Sequence, residues 1–152
     1  MSNFDESMLK RLARLEREVE RLRVKEKQVF VPLTTPLTST SWDGDAINTQ
    51  ATGVLIDLSS THGVPAGVKA VLVRVYCRDS GSAATNNLYF ALSSADAGFA
   101  QFAIRPSGLP GDYFVDNVGI VPCDSNGDVY YRSLTSGTGT MDVWITITGY
   151  WL

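Results

Sequence analysis

The sequence predicts a mainly β protein, an antiparallel sandwich of jelly-roll type, carried behind an N-terminal helix that pairs in parallel with copies of itself. Three observations carry this. Composition breaks sharply near residue 28. The apolar spacing before the break alternates 4, 3, 4, 3, and after it short runs alternate apolar and polar between turn signals. Residues 1–28 carry eight Lys or Arg and six Asp or Glu, a net +2. Residues 29–152 carry five basic and ten acidic residues, a net −5, and every acid there is Asp. Glu, Lys and Arg favour helices, whereas Asp, Gly, Ser and Thr favour turns between strands. The expected organisation is a coiled-coil helix over 1–28, an extended strand and arm over 29–52, and a sandwich over 53–152.

In the first segment Met8, Leu12, Leu15, Val19 and Leu22 form a heptad seam, with Leu12 and Val19 at a and Met8, Leu15 and Leu22 at d. Arg11 and Glu18 then fall at g, and Glu16 and Arg23 at e. In a parallel assembly each g residue faces the e residue five positions on in the next chain. Arg11 meets Glu16 and Glu18 meets Arg23, so both pairs attract; an antiparallel pairing has no such consistent match. Asn3 with Glu6 reads as a capping box. From residue 4 to 28 the rod is ~37 Å long. A lone helix of that length is marginal in water, and burying each Leu is worth about 1.5–3 kcal/mol, so association is the route to stability. The alternative is a helix folded back on its own β-domain, which usually shows a wider apolar face than a strict a/d stripe. Leu9 at e and Val24 at f depart slightly from that stripe.

Val29-Phe30-Val31-Pro32-Leu33 reads as a short strand that Pro32 confines to a sheet edge. Thr34 to Gly53 has no period and reads as a long loop, or as an arm that wraps a neighbour and carries Trp42. Strands are expected at 53–58, 68–77, 87–93, 99–105, 113–121, 129–134 and 141–150. Val71, Val73, Val75 and Cys77 share one apolar face, as do Met141, Val143, Ile145 and Ile147. Asp142, Trp144, Thr146, Thr148 and Tyr150 are expected on the opposite face of the last strand. No connection is long and helical enough for a crossover, so the sheets should be antiparallel.

The 152 residues make 16.5 kDa, enough for one domain plus an appendage. Charged residues are 19% and apolar ones 44%, the range of a folded protein. With a net charge of −3 there is no basic field to hold nucleic acid, and no apolar run reaches membrane-spanning length. The charged N-terminus shows no secretory h-region, so no signal peptide is expected.

Candidate chemistry is sparse. His62 is the one histidine, in a loop context without a partner at ligand spacing, and no G-x-S-x-G, P-loop or H-E-x-x-H is present. Asp124-Ser125-Asn126-Gly127-Asp128 has the form of the first half of a calcium loop, but Val129 and Thr135 stand where Gly and Glu belong. A hairpin turn with positive φ at Asn126 and Gly127 explains it better. The other Asp residues read as solvated turn chemistry. Cys77 and Cys123 read as reduced thiols, the alternative being a disulfide. Tyr130-Tyr131 and Tyr150-Trp151 must point to opposite sheet faces. An exposed ring can stack on a sugar or fill a subunit interface, and for an associating chain the interface is the better explanation. No enzyme activity, cofactor or metal is expected.

Arg11-Leu12-Ala13-Arg14-Leu15-Glu16 resembles the R-h-x-x-h-E signature of short parallel trimeric coiled coils, which implies three chains. The layout of short coiled coil, Thr/Ser/Pro-rich arm and small terminal sandwich resembles trimeric virion proteins of tailed bacteriophages, such as head fibres, capsid decoration proteins and small tail appendages. Gly63-Val-Pro-Ala-Gly-Val-Lys-Ala-Val-Leu-Val-Arg-Val and Met141-Asp-Val-Trp-Ile-Thr-Ile-Thr-Gly-Tyr-Trp look like strands of such domains. The resemblance implies a structural protein built into particles in a host cytoplasm, with itself and other capsid or tail proteins as partners. It implies no nucleic-acid binding and no membrane insertion. The alternative is a carbohydrate-binding adhesin for host surface glycans; a secreted C1q- or TNF-like trimer is disfavoured by the lack of an export signal.

Overall fold

The computed structural model describes residues 3–24, 28–38, 44–85, 87–96 and 101–152. Helix α1 spans Asn3–Val24, so its 22 residues make a rod of ~33 Å. The side chains of Asn3, Glu6, Leu22 and Arg23, and residues 25–27 and 39–43 with Trp42, lie outside the described part.

Among the described residues nine strands follow: β1 (Phe30–Leu37), β2 (Gly44–Ile47), β3 (Gln50–Ile56), β4 (Ala70–Asp79), β5 (Tyr89–Ser93), β6 (Phe102–Ile104), β7 (Val115–Pro122), β8 (Val129–Leu134) and β9 (Met141–Trp151), with a short helix α2 (Leu58–Thr61). They form two antiparallel sheets. One runs β1-β9-β4-β7, with β2 beside β9 as well; the other runs β3-β8-β5-β6. The core lies between them. Val71, Val73, Val75 and Cys77 of β4 and Met141, Val143, Ile145 and Ile147 of β9 meet Phe90 and Leu92 of β5, Phe102 and Ile104 of β6 and Val129 of β8. Period-two alternation on the central strands produces this arrangement, because each sheet turns one set of side chains inward.

The structure corrects several local expectations. The stretch 34–53 is not a free arm. Its ends belong to β1 and β3, and within it β2 pairs with β9 through Gly44–Val143 and Ile47–Met141. Ala46 sits there in the left-handed region, φ 65°, and its N–H donates to Asp142 Oδ1 at 3.0 Å, which anchors the strand. The strand expected at 53–58 stops at Ile56. Asp57 caps α2 by accepting from the Ser60 N–H and hydroxyl, and these bonds lower its pKa. The strand expected at 99–105 is Phe102–Ile104, with 97–100 outside the described part.

The last strand carries a bulge. Val73 pairs with Ile147 but Leu72 pairs with Gly149, so one residue of β9 is extra. Side-chain parity flips there. Tyr150 therefore turns toward the core instead of lying beside Trp144, and Trp151 turns outward onto Phe30 at 4.7 Å between ring centroids. A Cβ at Gly149 would meet the Phe30 ring and the Val31 carbonyl, which explains glycine at this point.

The Asn126-Gly127 turn differs as well. Its flanking strands β7 and β8 belong to different sheets, so it is no hairpin. Only Gly127 has positive φ, +94°, and across it the Asp124 N–H donates to the Asp128 carbonyl at 2.8 Å while the Asp128 N–H donates to Asp124 Oδ1 at 3.0 Å.

Gly119 of β7 marks where the two sheets close on one another. A Cβ there would strike the Phe102 ring of β6. Gly119→Ala should therefore force the ring aside and lower unfolding free energy by about 1–3 kcal/mol, the usual cost of overpacking. Urea denaturation checks this; wild-type stability in the variant would contradict the contact.

Candidate functional site

The helix offers the most distinctive surface. Met8, Leu12, Leu15 and Val19 lie on one stripe of α1 and are 50–62% exposed in the single chain, so the described part of the seam is uncovered. Arg11, Glu16 and Glu18 flank it and are exposed; for Leu22 and Arg23 only the backbone is described. Arg17 bonds back along the helix, its Nε donating to the Ala13 carbonyl at 3.0 Å. A strip of apolar side chains at this spacing gains stability when it is buried against another apolar surface.

The polar side chains of the sandwich are engaged in holding loops. Asp79, at the end of β4, is fully buried. Its Oδ1 accepts from the Gly81 N–H (3.0 Å) and the Ser136 hydroxyl, and its Oδ2 from the Ser136 N–H (3.1 Å) and the Thr140 hydroxyl (3.1 Å). Its carbonyl takes the N–H groups of Ser82 and Asp112. One residue, through its carboxylate and its carbonyl, thus ties three loops at one end of the sandwich. This is not the solvated turn acid the sequence reading expected, although 71, 73, 75, 77 and 79 share parity and the signal was present. At the other end Asp128, nearly buried, accepts at Oδ1 from the Leu58 and Ser59 N–H groups (2.9 Å each), which are the first amides of α2. Asp124 Oδ1 accepts from the Asn126 and Asp128 N–H groups. The oxygens of a supposed calcium loop are directed at backbone amides, and among the described residues no three His, Cys, Asp or Glu side chains are grouped to hold a metal ion.

The aromatic candidates divide by face. Tyr131 points inward and stacks on Phe90 at 5.4 Å, and Tyr150 also packs on the core. Trp144 lies on the outer face of its sheet, but Phe114 packs on it at 5.6 Å. The Arg78 guanidinium lies over both rings, 4.9 Å from Phe114 and 5.9 Å from Trp144. Asp142 holds Arg78 there through a 2.8 Å pair. Tyr76 is covered in the same way by Arg74, which pairs with Asp116 at 3.0 Å. Among the described residues the most exposed rings are those of Tyr113 and Phe114, in the turn ahead of β7. His62 closes α2, its N–H bonded to the Leu58 carbonyl.

Both cysteines are free. Cys123 N–H bonds to the Lys69 carbonyl at one end of β4, while Cys77 lies eight residues along that strand, about 26 Å away at ~3.3 Å per residue. A bond within one chain is therefore excluded, since it needs Cα atoms within ~7 Å. Burial first, then Asp79 and Asp142, pushes the Cys77 thiol up to about 12; burial, Asp124 and Asp128 do the same for Cys123. These are inert thiols rather than nucleophiles.

No family model matches the sequence, and no curated protein does. Among solved structures the chain is similar to the Tobacco streak virus coat protein, with 11% identity over 82% of this chain and 88% of that chain, and a TM-score of 0.40.

Two predictions concern this part of the molecule. Asp79→Ala should cost about 2–4 kcal/mol, because it strands buried backbone and hydroxyl donors, while Asp79→Asn should recover part of that in urea melts. The thiols bear on alkaline stability. Unfolded cysteine releases its proton near its ordinary value of 9.0, whereas the folded chain holds it to about 12. Above pH 9 the native state binds more protons than the unfolded one, so stability falls as pH rises. A melting temperature that drops between pH 8 and 10.5, with a shallower drop for Cys77→Val, is the expected result.

Proposed function

We propose that this chain is a non-enzymatic structural protein of a bacteriophage particle, a parallel homotrimer that decorates or projects from the capsid or tail. The observation that carries the proposal is the uncovered seam of Met8, Leu12, Leu15 and Val19. A chain that makes such a strip and leaves it wet is built to associate, and the Arg11–Glu16 pairing selects a parallel partner with the same sequence. Two features agree with a scaffold role. The strand order β1-β9-β4-β7 over β3-β8-β5-β6 is that of two interleaved Greek keys, a jelly roll, which viral capsid and lectin domains use. That support is an analogy of fold. The acids best placed to be catalytic by burial, Asp79 and Asp128, accept hydrogen bonds from loop and helix amides.

The same fold supports a second reading, an adhesin for host glycans, and the exposed rings of Tyr113 and Phe114 are what favour it. A glycan array with the full chain separates the two. A reproducible hit lost in Tyr113→Ala supports the adhesin, and stoichiometric presence on purified particles without a glycan signal supports the scaffold.

The assembly itself is tested by mass. Light scattering should return three times the 16.5 kDa chain for the wild type. Leu15→Asp should return single chains whose β-type circular dichroism is unchanged, because no described side chain of α1 belongs to the sandwich core. An unchanged mass would refute the seam.

A further inference from the structure

We propose that the outer face of the β1-β9-β4-β7 sheet is a second contact between copies of this chain. This rests on the coiled-coil reading above and extends it from the helix to the sandwich.

The two outer faces of the sandwich are unequal. On the β3-β8-β5-β6 sheet the chain covers part of its own outer side. The segment after β5 crosses it, with Asp96 held by the Gly53 N–H and lying where a Gly53 Cβ would be, and within 3.9 Å of Arg132. Ala91 and Ser93, which point outward there, are buried. On the other sheet Val118 and Ile120 of β7 point outward and are each 55% exposed. Leu72 of β4 lies directly opposite Ile120, and the row continues through Pro122 and Ala70 to Trp151 and Phe30. A patch of this kind on a folded chain marks a contact surface.

Three features select a second copy as its occupant. The first is the tether. Only residues 25–29 separate α1 from β1, so the first strand begins within ~20 Å of the helix end, at no more than ~3.3–3.6 Å per residue. Chains bundled through α1 must therefore bring their sandwiches together, beginning at Phe30, which lies at the edge of this face. The second is charge. Arg74 is matched by Asp116 and Arg78 by Asp142 within the face, so copies can approach without like-charge repulsion. The third is size. A face four strands wide at ~4.8 Å and ten residues long at ~3.3 Å covers about 600 Å2, which together with the seam reaches the ~800 Å2 per partner of a stable interface. The contact is face to face rather than strand to strand, because the Val118 N–H on β7 is taken by its neighbour Asn117 Oδ1 at 2.9 Å.

Carbene footprinting of the full chain tests this, with Leu15→Asp as the dissociated reference and native mass measured on the same samples. The expected result is labelling at Val118 and Ile120 at least about threefold lower in the wild-type assembly than in Leu15→Asp, with Leu55, exposed on the opposite sheet, labelled equally in both. An assembled wild type with equal labelling at Val118 and Ile120 overturns the face and leaves the seam standing. A wild type that is a single chain overturns both. If Leu15→Asp stays assembled, the seam reading falls. The Val118→Asp/Ile120→Asp variant then decides the face, upholding it by dissociating and overturning it by keeping its mass. Protection that appears only on purified particles gives the face to another particle protein and also overturns the proposal.

Discussion

The pairing of β4 with β9 is the constraint on which the other elements depend. The two strands lie side by side over almost their whole length, from Ala70 beside Trp151 to Asp79 beside Met141, and each presents a buried row of β-branched or sulfur-bearing side chains to the opposite sheet. β1 and β2 take their register from the free side of β9, and β7 takes its own from the free side of β4. A shift of one residue between these two strands would put the valine row and the isoleucine row on opposite faces of the sheet, leaving one of them on the solvent side. The bulge at Gly149 is the one place where that parity is broken. It allows the last two residues of β9 to do different work, Tyr150 completing the core and Trp151 covering Phe30 where β1 begins.

The polar residues complete this frame at its two ends. Loops that pass between sheets leave backbone amides with no strand to bond, and a buried amide without a partner costs on the order of 1–3 kcal/mol. At one end Asp79 gathers such amides together with two hydroxyls; at the other Asp128 satisfies the start of α2. The buried acids are therefore explained by the connectivity of the sandwich. Acids in a fold are often the first candidates for catalysis, and here their geometry gives them a sufficient structural task.

Much of this was legible from the residues alone, for identifiable reasons. Period-two runs over 68–77, 129–134 and 141–150 state their own conformation, and β4, β8 and β9 lie there. Which strand pairs with which is a different matter, since partners such as β1 and β9 lie more than a hundred residues apart and nothing local encodes that distance. The stretch 34–53 lacks alternation because β1 and β2 are edge strands with one paired side and little burial, so the pattern that reports a strand is faint there. Tyr150 was misplaced because alternation was carried through Gly149 unbroken, although glycine inside a strand is itself the usual mark of a bulge. The seam of α1 was the clearest signal, and the described helix carries it as an exposed stripe. Periodicity reports that a face is apolar and wants cover, whereas it does not name the cover.

The helix and the sandwich pose the same physical problem at different scales. Each has one side that its own chain does not finish: the a/d stripe on α1, and the outer row of Val118, Ile120 and Leu72 on the sheet. A five-residue connection between them means that neither can be covered by copies of the chain without drawing the other into the same neighbourhood. In the proposed assembly the bundled helices would hold the sheet faces at an effective concentration in the millimolar range, so that a contact too weak to form between free sandwiches would become favourable. The short connection would then be what couples the two surfaces, since lengthening it would leave every residue of both intact and still separate them.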